Sequence, residues 1–197
     1  MRIYDISQEL LSSMVYEGDP SPIASRIKEI KAGEKYNLSA FYTCAHNGTH
    51  VDAPYHFIND GICVEEIPLE KTVGYAYVHT HNGDFVAEDA TRVLKNAQNA
   101  GFGCEKRILL RGDATVTISA ARVLANAGIL LIGVESQSVG PLDKPMEVHL
   151  ELLKKEVVLL EGLRLSDVED GVYLLSSAPL KIAGFDGSPC RAILIEV

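Results

Sequence analysis

The stretch Cys44-Ala45-His46-Asn47-Gly48-Thr49-His50-Val51-Asp52-Ala53-Pro54-Tyr55-His56-Phe57 contains three of the six histidines of this 197-residue chain. His50 and Asp52 are two residues apart, so an extended backbone turns both side chains to the same face. Gly48 lets the backbone turn between His46 and His50, so both imidazoles could reach one point. Imidazole with carboxylate is a ligand set that suits zinc, manganese or iron. The stretch therefore predicts a metal site.

The chain is expected to change direction just after this potential ligand pair. Proline cannot continue a central sheet ladder, so Pro54 should end the strand and carry His56 on a turn. The alternative is a surface loop that is rich in histidine by chance. Three histidines with an interleaved carboxylate favour the metal site over that alternative.

Composition and charge narrow the class of protein. A chain of 197 residues that is 47% hydrophobic predicts one domain over residues 1–197. Neither a membrane span nor a signal peptide is expected, because no long apolar run or basic-then-apolar N-terminus is present. The net charge of −9 argues against nucleic acid or an anionic membrane as partner. The four cysteines lack CxxC pairing, which indicates reduced thiols and a cytoplasmic protein.

Strand and helix patterns predict an α/β fold. Residues 25–31 and 38–44 alternate polar and apolar side chains, as half-buried antiparallel strands do. Helices are expected over 87–100 and 118–127, and buried strands over 107–111 and 129–134. This strand–helix–strand order favours a right-handed crossover between parallel strands.

Two more groups of polar residues stand near strand or helix ends. A third helix is expected over 147–156, with His149 near its start, and a strand over 157–161 that ends in Glu161. A glutamate at the end of an apolar strand is costly to bury unless it is paired or ligates a cation. His79 and His81, at the end of a strand over 74–80, lack a nearby acid and are expected to stay outside the chemistry.

The histidine-rich stretch resembles a known family signature. His46-x-Gly48-Thr49-His50-x-Asp52-x-Pro54-x-His56 reproduces the HxGTHxDxPxH motif of the metal-dependent cyclase family without a gap. That family includes bacterial kynurenine formamidase and is similar to isatin hydrolase. Glu135 stands where the family's GxDTxSxD region usually has an aspartate. Other similar stretches are residues 4–7, 67–69, 133–138, 179–182 and 184–192.

The resemblance implies a ligand set and a fold. His46, His50, Asp52 and Glu161 would hold one divalent ion, and Asp52, His149 and Glu161 a second, while His56 would be the general acid/base. Zinc is the first choice of metal, with manganese or iron as alternatives and up to two ions per chain. The implied fold is a swivelling β/β/α type, with a curved mixed sheet and flanking helices, assembled as a dimer or tetramer.

Two departures from the family concern the substrate. Tyr16 stands on the N-terminal loop where kynurenine formamidases have a tryptophan, so it is the candidate substrate-binding residue. The segment after the strand at 107–111 is also short, at residues 112–116. Both changes predict slow turnover of N-formylkynurenine and better activity on a smaller amide or lactam.

The predicted function is a metal-dependent hydrolase that acts on the C–N bond of a small amide, N-formyl compound or lactam through a metal-activated water. The first alternative is an arylformamidase of tryptophan catabolism, acting on N-formylkynurenine. The second is a metal-dependent lyase or cyclase in which His56 abstracts a proton. The third is a non-catalytic metal-binding or ligand-binding module, which would have no need of a general base such as His56.

Overall fold

A nine-stranded mixed sheet forms the centre of the molecule in the computed structural model, which describes residues 1–197. Its four central strands, β5 (Val73–Thr80), β7 (Arg107–Arg111), β9 (Leu131–Val134) and β10 (Val158–Glu161), are parallel, and the flanking strands pair antiparallel. The sheet is strongly curled, which confirms the predicted α/β fold with a curved mixed sheet. In order across the sheet the strands are β1 (Ile3–Asp5), β13 (Ile193–Glu196), β11 (Gly171–Ser176), β5 (Val73–Thr80), β7 (Arg107–Arg111), β9 (Leu131–Val134), β10 (Val158–Glu161), β4 (His50–Asp52) and β12 (Gly187–Pro189).

Two apolar cores lie on the two faces of this sheet, and β7 shows how they are divided. Ile108 and Leu110 pack into the core beneath the long helices, whereas Leu109 points into the other core. This alternation follows from the two-residue repeat of a strand. The helices are α1 (Leu69–Thr72), α2 (Ala87–Ala100), α3 (Ile118–Asn126) and α4 (Met146–Leu153).

The helix boundaries follow from local sequence. α2 buries one stripe, formed by Ala90, Val93, Leu94 and Ala97, and Gly101 ends it with a positive φ of 85°. The Thr117 side chain accepts a hydrogen bond from the Ala120 N–H and so caps α3. No helix of the structure is both long and apolar enough to cross a membrane.

Two small sheets stand apart from the central one, and one of them corrects a prediction. β2 (Ile23–Lys28) and β3 (Leu38–Tyr42) pair antiparallel as expected, but the predicted half-burial is wrong, because nearly every residue of this hairpin is exposed. Alternation marks a pleated strand without telling whether another layer covers it. β6 (Gly83–Phe85) and β8 (Ala114–Val116) form a parallel pair that is too short to leave a periodic signal.

Candidate active site

β4 and β10 bring distant polar residues together at one end of the sheet. Val51 points into an apolar core, so His50 and Asp52 on either side of it turn to the opposite face. The antiparallel register places Glu161 of β10 directly opposite His50. The chain then leaves β4 at Pro54 and turns through a short 3₁₀ helix, Pro54–His56, as predicted.

Four side chains form a buried cluster, which we call the inner group: His50, Asp52, His149 and Glu161. Each is at most 4% exposed. His50 Nε2 lies 3.4 Å from Asp52 Oδ1 and 3.3 Å from Glu161 Oε2. His149 Nε2 lies 3.3 Å from Glu161 Oε1 and 3.7 Å from Asp52 Oδ2. Two imidazoles and two carboxylates therefore converge on one small volume.

The second nitrogen of each inner imidazole lies against a backbone carbonyl. His50 Nδ1 is 3.0 Å from the Gly48 oxygen, and His149 Nδ1 is 2.9 Å from the Pro145 oxygen. With a cation bound in the cluster, an N–H donated in this way would fix the tautomer and leave Nε2 to coordinate the cation. Glu161 is also fixed, since the Val139 N–H donates to its Oε1 at 2.8 Å.

Three further side chains at the cavity rim, His46, His56 and Asp186, make up the outer group. His46 lies between the groups, with Nδ1 2.9 Å from Asp52 Oδ1 and Nε2 2.8 Å from Asp186 Oδ2. His56 Nδ1 is 3.2 Å from the same Asp186 oxygen. The side chains of His46, His56 and Asp186 are 13%, 27% and 40% exposed, so this group is in contact with solvent.

Nearby carboxylates raise the pKa of His46 and of His50. Burial alone would lower the pKa of His46, but hydrogen bonds to Asp186 and Asp52 raise it to about 10. His50 follows the same balance, with Asp52 and Glu161 raising its pKa to about 10 against its burial. Burial would raise the pKa of the Asp52 carboxyl, yet His46 and His50 hold it well below its usual range. The buried carboxylates thus require positive charge nearby.

The donor set fits a divalent cation. Asp52 Oδ2 is buried and has no hydrogen-bond partner, and a buried anionic oxygen without a partner is costly. Three sets of ligand atoms lie within 4.8 Å of one another, and one of them is the outer group, His46, His56 and Asp186. Of the other two, one comes from His46, His50 and Asp52, and a second comes from Asp52, His149 and Glu161. Asp52 belongs to both sets. Glu161 belongs only to the second set, although the resemblance implied that it would serve both ions.

The two groups open into a cavity of about 390 Å³. Tyr16 lines this cavity, and its hydroxyl donates to the Leu142 carbonyl at 2.7 Å. Tyr16 and Gln137 also line an adjoining chamber of about 850 Å³, together with Gly112 and Asp113 of the short segment. The two residues consequently stand between the polar cavity and a larger, more open space.

Several residues that line the cavity were not among the predicted site residues. Asp186 lies in a stretch that was matched to the family, but no single-sequence signal connects it to His46 or His56. Gln137 and Ser138 also line the cavity, and each has a buried side-chain oxygen without a hydrogen-bond partner. His79 and His81 lie elsewhere, against Asp170 and the Asp84 carbonyl respectively.

The chain is similar to a known family and to several solved structures. The Cyclase family model matches residues 4–141. The chain is 34% identical over 207 residues to a kynurenine formamidase of Erythrobacter litoralis (strain HTCC2594), which covers 100% of this chain and 94% of that protein. A "predicted metal-dependent hydrolase" from Bacillus stearothermophilus is 27% identical, with a TM-score of 0.80 and 98% and 97% of the two chains covered. Isatin hydrolase A from Labrenzia aggregata shares the fold, with 21% identity, a TM-score of 0.80 and 98% and 93% covered.

Proposed function

The chain belongs to the Cyclase family, and from that membership we propose that it hydrolyses the formamide bond of an aryl formamide of the N-formylkynurenine type. The predicted resemblance is confirmed by the family match, and the predicted class, a hydrolase of C–N bonds, by the kynurenine formamidase relatives. The single observation that carries the proposal is the inner group beside His56, in a cavity next to a chamber that could accept an aromatic ring.

The proposed ligands are His46, His50, Asp52, His149 and Glu161, holding up to two divalent ions, with zinc as the first choice. A divalent cation supplies Lewis acidity, which polarises a carbonyl oxygen and activates water at neutral pH. The orphaned Asp52 oxygen and the fixed imidazole tautomers support these ligand roles. Metal-dependent hydrolases among the structural neighbours support a metal of this kind.

His56 is the proposed general acid/base. Its Nδ1 lies against Asp186, so Nε2 is the ring nitrogen left to exchange a proton in the cavity. An imidazole titrates near neutral pH and can accept a proton from water and then donate one to the leaving aryl amine. His56 thereby avoids the release of a high-energy amide anion.

The chamber beyond Tyr16 is the proposed site for the aryl part of the substrate. Met14, Val15 and Leu142 give it apolar walls, and Tyr16 stands at its junction with the metal-side cavity. A ring seated there would leave the formyl group next to His56. The proposed reaction therefore needs no family tryptophan, because Tyr16 offers a smaller aromatic surface in the same place.

A smaller amide or lactam is the second candidate substrate. The observation that favours it is Tyr16 itself, whose hydroxyl is tied to the Leu142 carbonyl and partly separates the two spaces. A compound that fits in the 390 Å³ cavity would not need to pass this contact. The replacement of tryptophan by tyrosine points to the same candidate.

Self-association through the β2–β3 hairpin is proposed for the assembly. Ile23, Ile27 and Phe41 are 56–61% exposed there, on a two-stranded hairpin of a kind that is marginally stable alone. Residues 23–42 carry a net charge of +2, which leaves −11 on the rest of the chain. A second copy offers the complementary charge, so a homodimer is the expected state.

The four free cysteines agree with the proposed cytoplasmic location.

The experiment is a substrate comparison on purified protein loaded with zinc or manganese. Tyr16 and the short segment predict slow turnover of N-formylkynurenine, but the kynurenine formamidase relatives lead us to expect hydrolysis with a kcat/KM above about 10⁴ M⁻¹s⁻¹, within the usual enzyme range. A panel of small amides and lactams, including isatin, runs in parallel. Efficient hydrolysis of a small amide, without N-formylkynurenine turnover, would favour the second candidate. No turnover of any member, with metal bound, would contradict both.

A further inference from the structure

We propose that Asp186 is a positioning residue that holds His46 for the cation and His56 for proton transfer through one shared oxygen. This inference rests on the proposed function for the role of His56. Asp186 Oδ2 receives both contacts, from His46 Nε2 at 2.8 Å and from His56 Nδ1 at 3.2 Å. One carboxylate thus orients a candidate ligand and the candidate acid/base together.

His46 lies between two carboxylates, with one ring nitrogen against each. Its Nδ1 is directed at Asp52 in the inner group, unlike His50 and His149, which present Nε2. A metal-binding imidazole commonly donates its other N–H to a carboxylate or a carbonyl, which fixes the ring and raises the basicity of the coordinating nitrogen. His50 and His149 use backbone carbonyls for this purpose. Asp186 is the corresponding partner for His46.

His56 contacts Asp186 through only one of its ring nitrogens. With Nδ1–H donated to Asp186, the opposite nitrogen Nε2 is left as the proton carrier, in the arrangement that generally orients a catalytic imidazole. The His46 and His56 rings lie with centroids 4.1 Å apart and planes inclined by 32°. A single acceptor oxygen can serve both rings because the two rings are this close together.

The backbone fixes where this oxygen lies. The Ala53 N–H donates to the Asp186 carbonyl at 2.9 Å, and the Val64 N–H donates to the Phe185 carbonyl at 2.9 Å. β12 begins at the next residue, Gly187, which pairs with Asp52 of β4. Asp186 is therefore held to both flanks of the segment that carries His56.

Gly187 makes room for the contact. A Cβ at this position would lie 2.7 Å from His46 Cε1 and 2.9 Å from the Val51 carbonyl oxygen, closer than real Cβ atoms approach other heavy atoms. The absence of a side chain at Gly187 lets the His46 imidazole sit between Asp52 and Asp186. The β12 strand thus contributes both the positioning carboxylate and the space for the ring.

The test uses Asp186→Ala and Asp186→Asn, with Asp170→Asn as the matched control. Asp170 also contacts a histidine, since its Oδ2 lies 3.3 Å from His79 Nδ1, and its side chain is 40% exposed, as that of Asp186 is. Zinc affinity is measured by chelator competition on the metal-stripped full-length protein. kcat and KM are measured separately on zinc-loaded protein with N-formylkynurenine.

We expect Asp186→Ala to weaken zinc binding by about 10-fold or more and to lower kcat by about 10–100-fold. KM should change by less than about twofold, since the carboxylate orients groups that act on the transition state. Asp186→Asn, which keeps an acceptor oxygen of similar shape, should recover part of both losses. Asp170→Asn should change neither quantity.

Three results would overturn the proposal. If the zinc affinity and the kcat of Asp186→Ala both stay within about twofold of wild type, the contacts of Asp186 position neither histidine. A complete loss of zinc binding, equal to that of His46→Ala, would make Asp186 a ligand instead. An equal loss in Asp170→Asn would mean a general effect of removing a carboxylate. The zinc measurement does not use the substrate, so a wrong proposed function leaves it valid.

Discussion

The inner and outer groups contain the same kinds of side chain, yet their environments differ. His50, Asp52, His149 and Glu161 are almost completely buried, whereas His56 and Asp186 are 27% and 40% exposed. Buried carboxylates need a positive charge that stays in place, because water cannot screen them. Half-exposed groups can exchange protons with solvent. This difference fits the proposed roles, in which the inner group binds a cation and the outer group exchanges protons.

His79 and Asp170 provide a third case, outside both groups. Burial is the largest influence there and lowers the pKa of His79, because the single nearby carboxylate does not compensate for it. In the inner group two carboxylates face each imidazole, and the balance is reversed. A single contact with an aspartate is thus not sufficient to raise the pKa of a buried histidine. The number of buried carboxylates around a histidine decides whether its pKa is raised or lowered.

The largest expected effect comes from replacing one carboxylate of the inner group with an amide of the same shape. Asp52→Asn should lose bound metal and lower kcat by about 10³-fold or more, since Lewis-acid stabilisation contributes several kcal/mol and each 1.36 kcal/mol is tenfold. Elemental analysis and initial rates on reloaded protein measure both. Glu161→Gln should give the same result. An Asp52→Asn protein that keeps its metal and rate would break the distinction between the groups.

A smaller effect is expected from the outer group. His56→Ala should keep its metal content and melting temperature and lower kcat by about 10²–10⁴-fold, the usual contribution of a general acid/base. The check is to run metal analysis and kinetics on one preparation. Loss of metal in this variant would move His56 into the ligand set and remove the difference in function between the two groups.

A modest effect is expected at the cavity wall. Tyr16→Ala should raise KM more than it lowers kcat, because the ring would bind ground and transition states alike. Tyr16→Phe keeps the ring and removes only the hydrogen bond to Leu142, so KM should change less than in Tyr16→Ala. Full kinetics on aryl and small amide substrates separate the two variants. A drop in kcat alone would place Tyr16 in the chemistry.

The smallest effect concerns His79. Its folded-state pKa is lowered by burial, so the native protein binds fewer protons there than the unfolded chain does. Its contribution to stability is therefore present above the unfolded pKa of about 6.5 and is lost as the pH falls below that value. His79→Gln should make thermal stability slightly less sensitive to pH between 7 and about 5. Identical pH profiles for both proteins would contradict this expectation.

Local sequence was sufficient for much of the fold. α2 spans residues 87–100, as predicted, because its apolar stripe and Gly101 define it within the segment. β7 also matches its prediction, residues 107–111, as a buried strand. β4 and the turn at Pro54 follow from residues that are neighbours in sequence. Short-range patterns of this kind need no knowledge of the rest of the chain.

The exposed hairpin and β12 show where local sequence fails. β2 and β3 alternate like covered strands, but coverage depends on whether another layer packs there. β12 falls in a stretch that reads as turn-rich, and it becomes a strand because β4 offers an unpaired edge. Both outcomes depend on the placement of distant segments, which neither periodicity nor turn residues record.

The sequence by itself determined which chemistry is available, since one stretch carries His46, His50, Asp52 and His56 in the order that the family motif has. The resemblance to the family also predicted His149 and Glu161 as metal ligands. Only the tertiary structure decided how these side chains divide into a buried and a half-exposed group, and that Asp186 joins two of the histidines. Antiparallel pairing of β4 with β10 and β12 brings together residues more than a hundred positions apart. Burial and shared oxygens arise from that pairing, so they have no local signature.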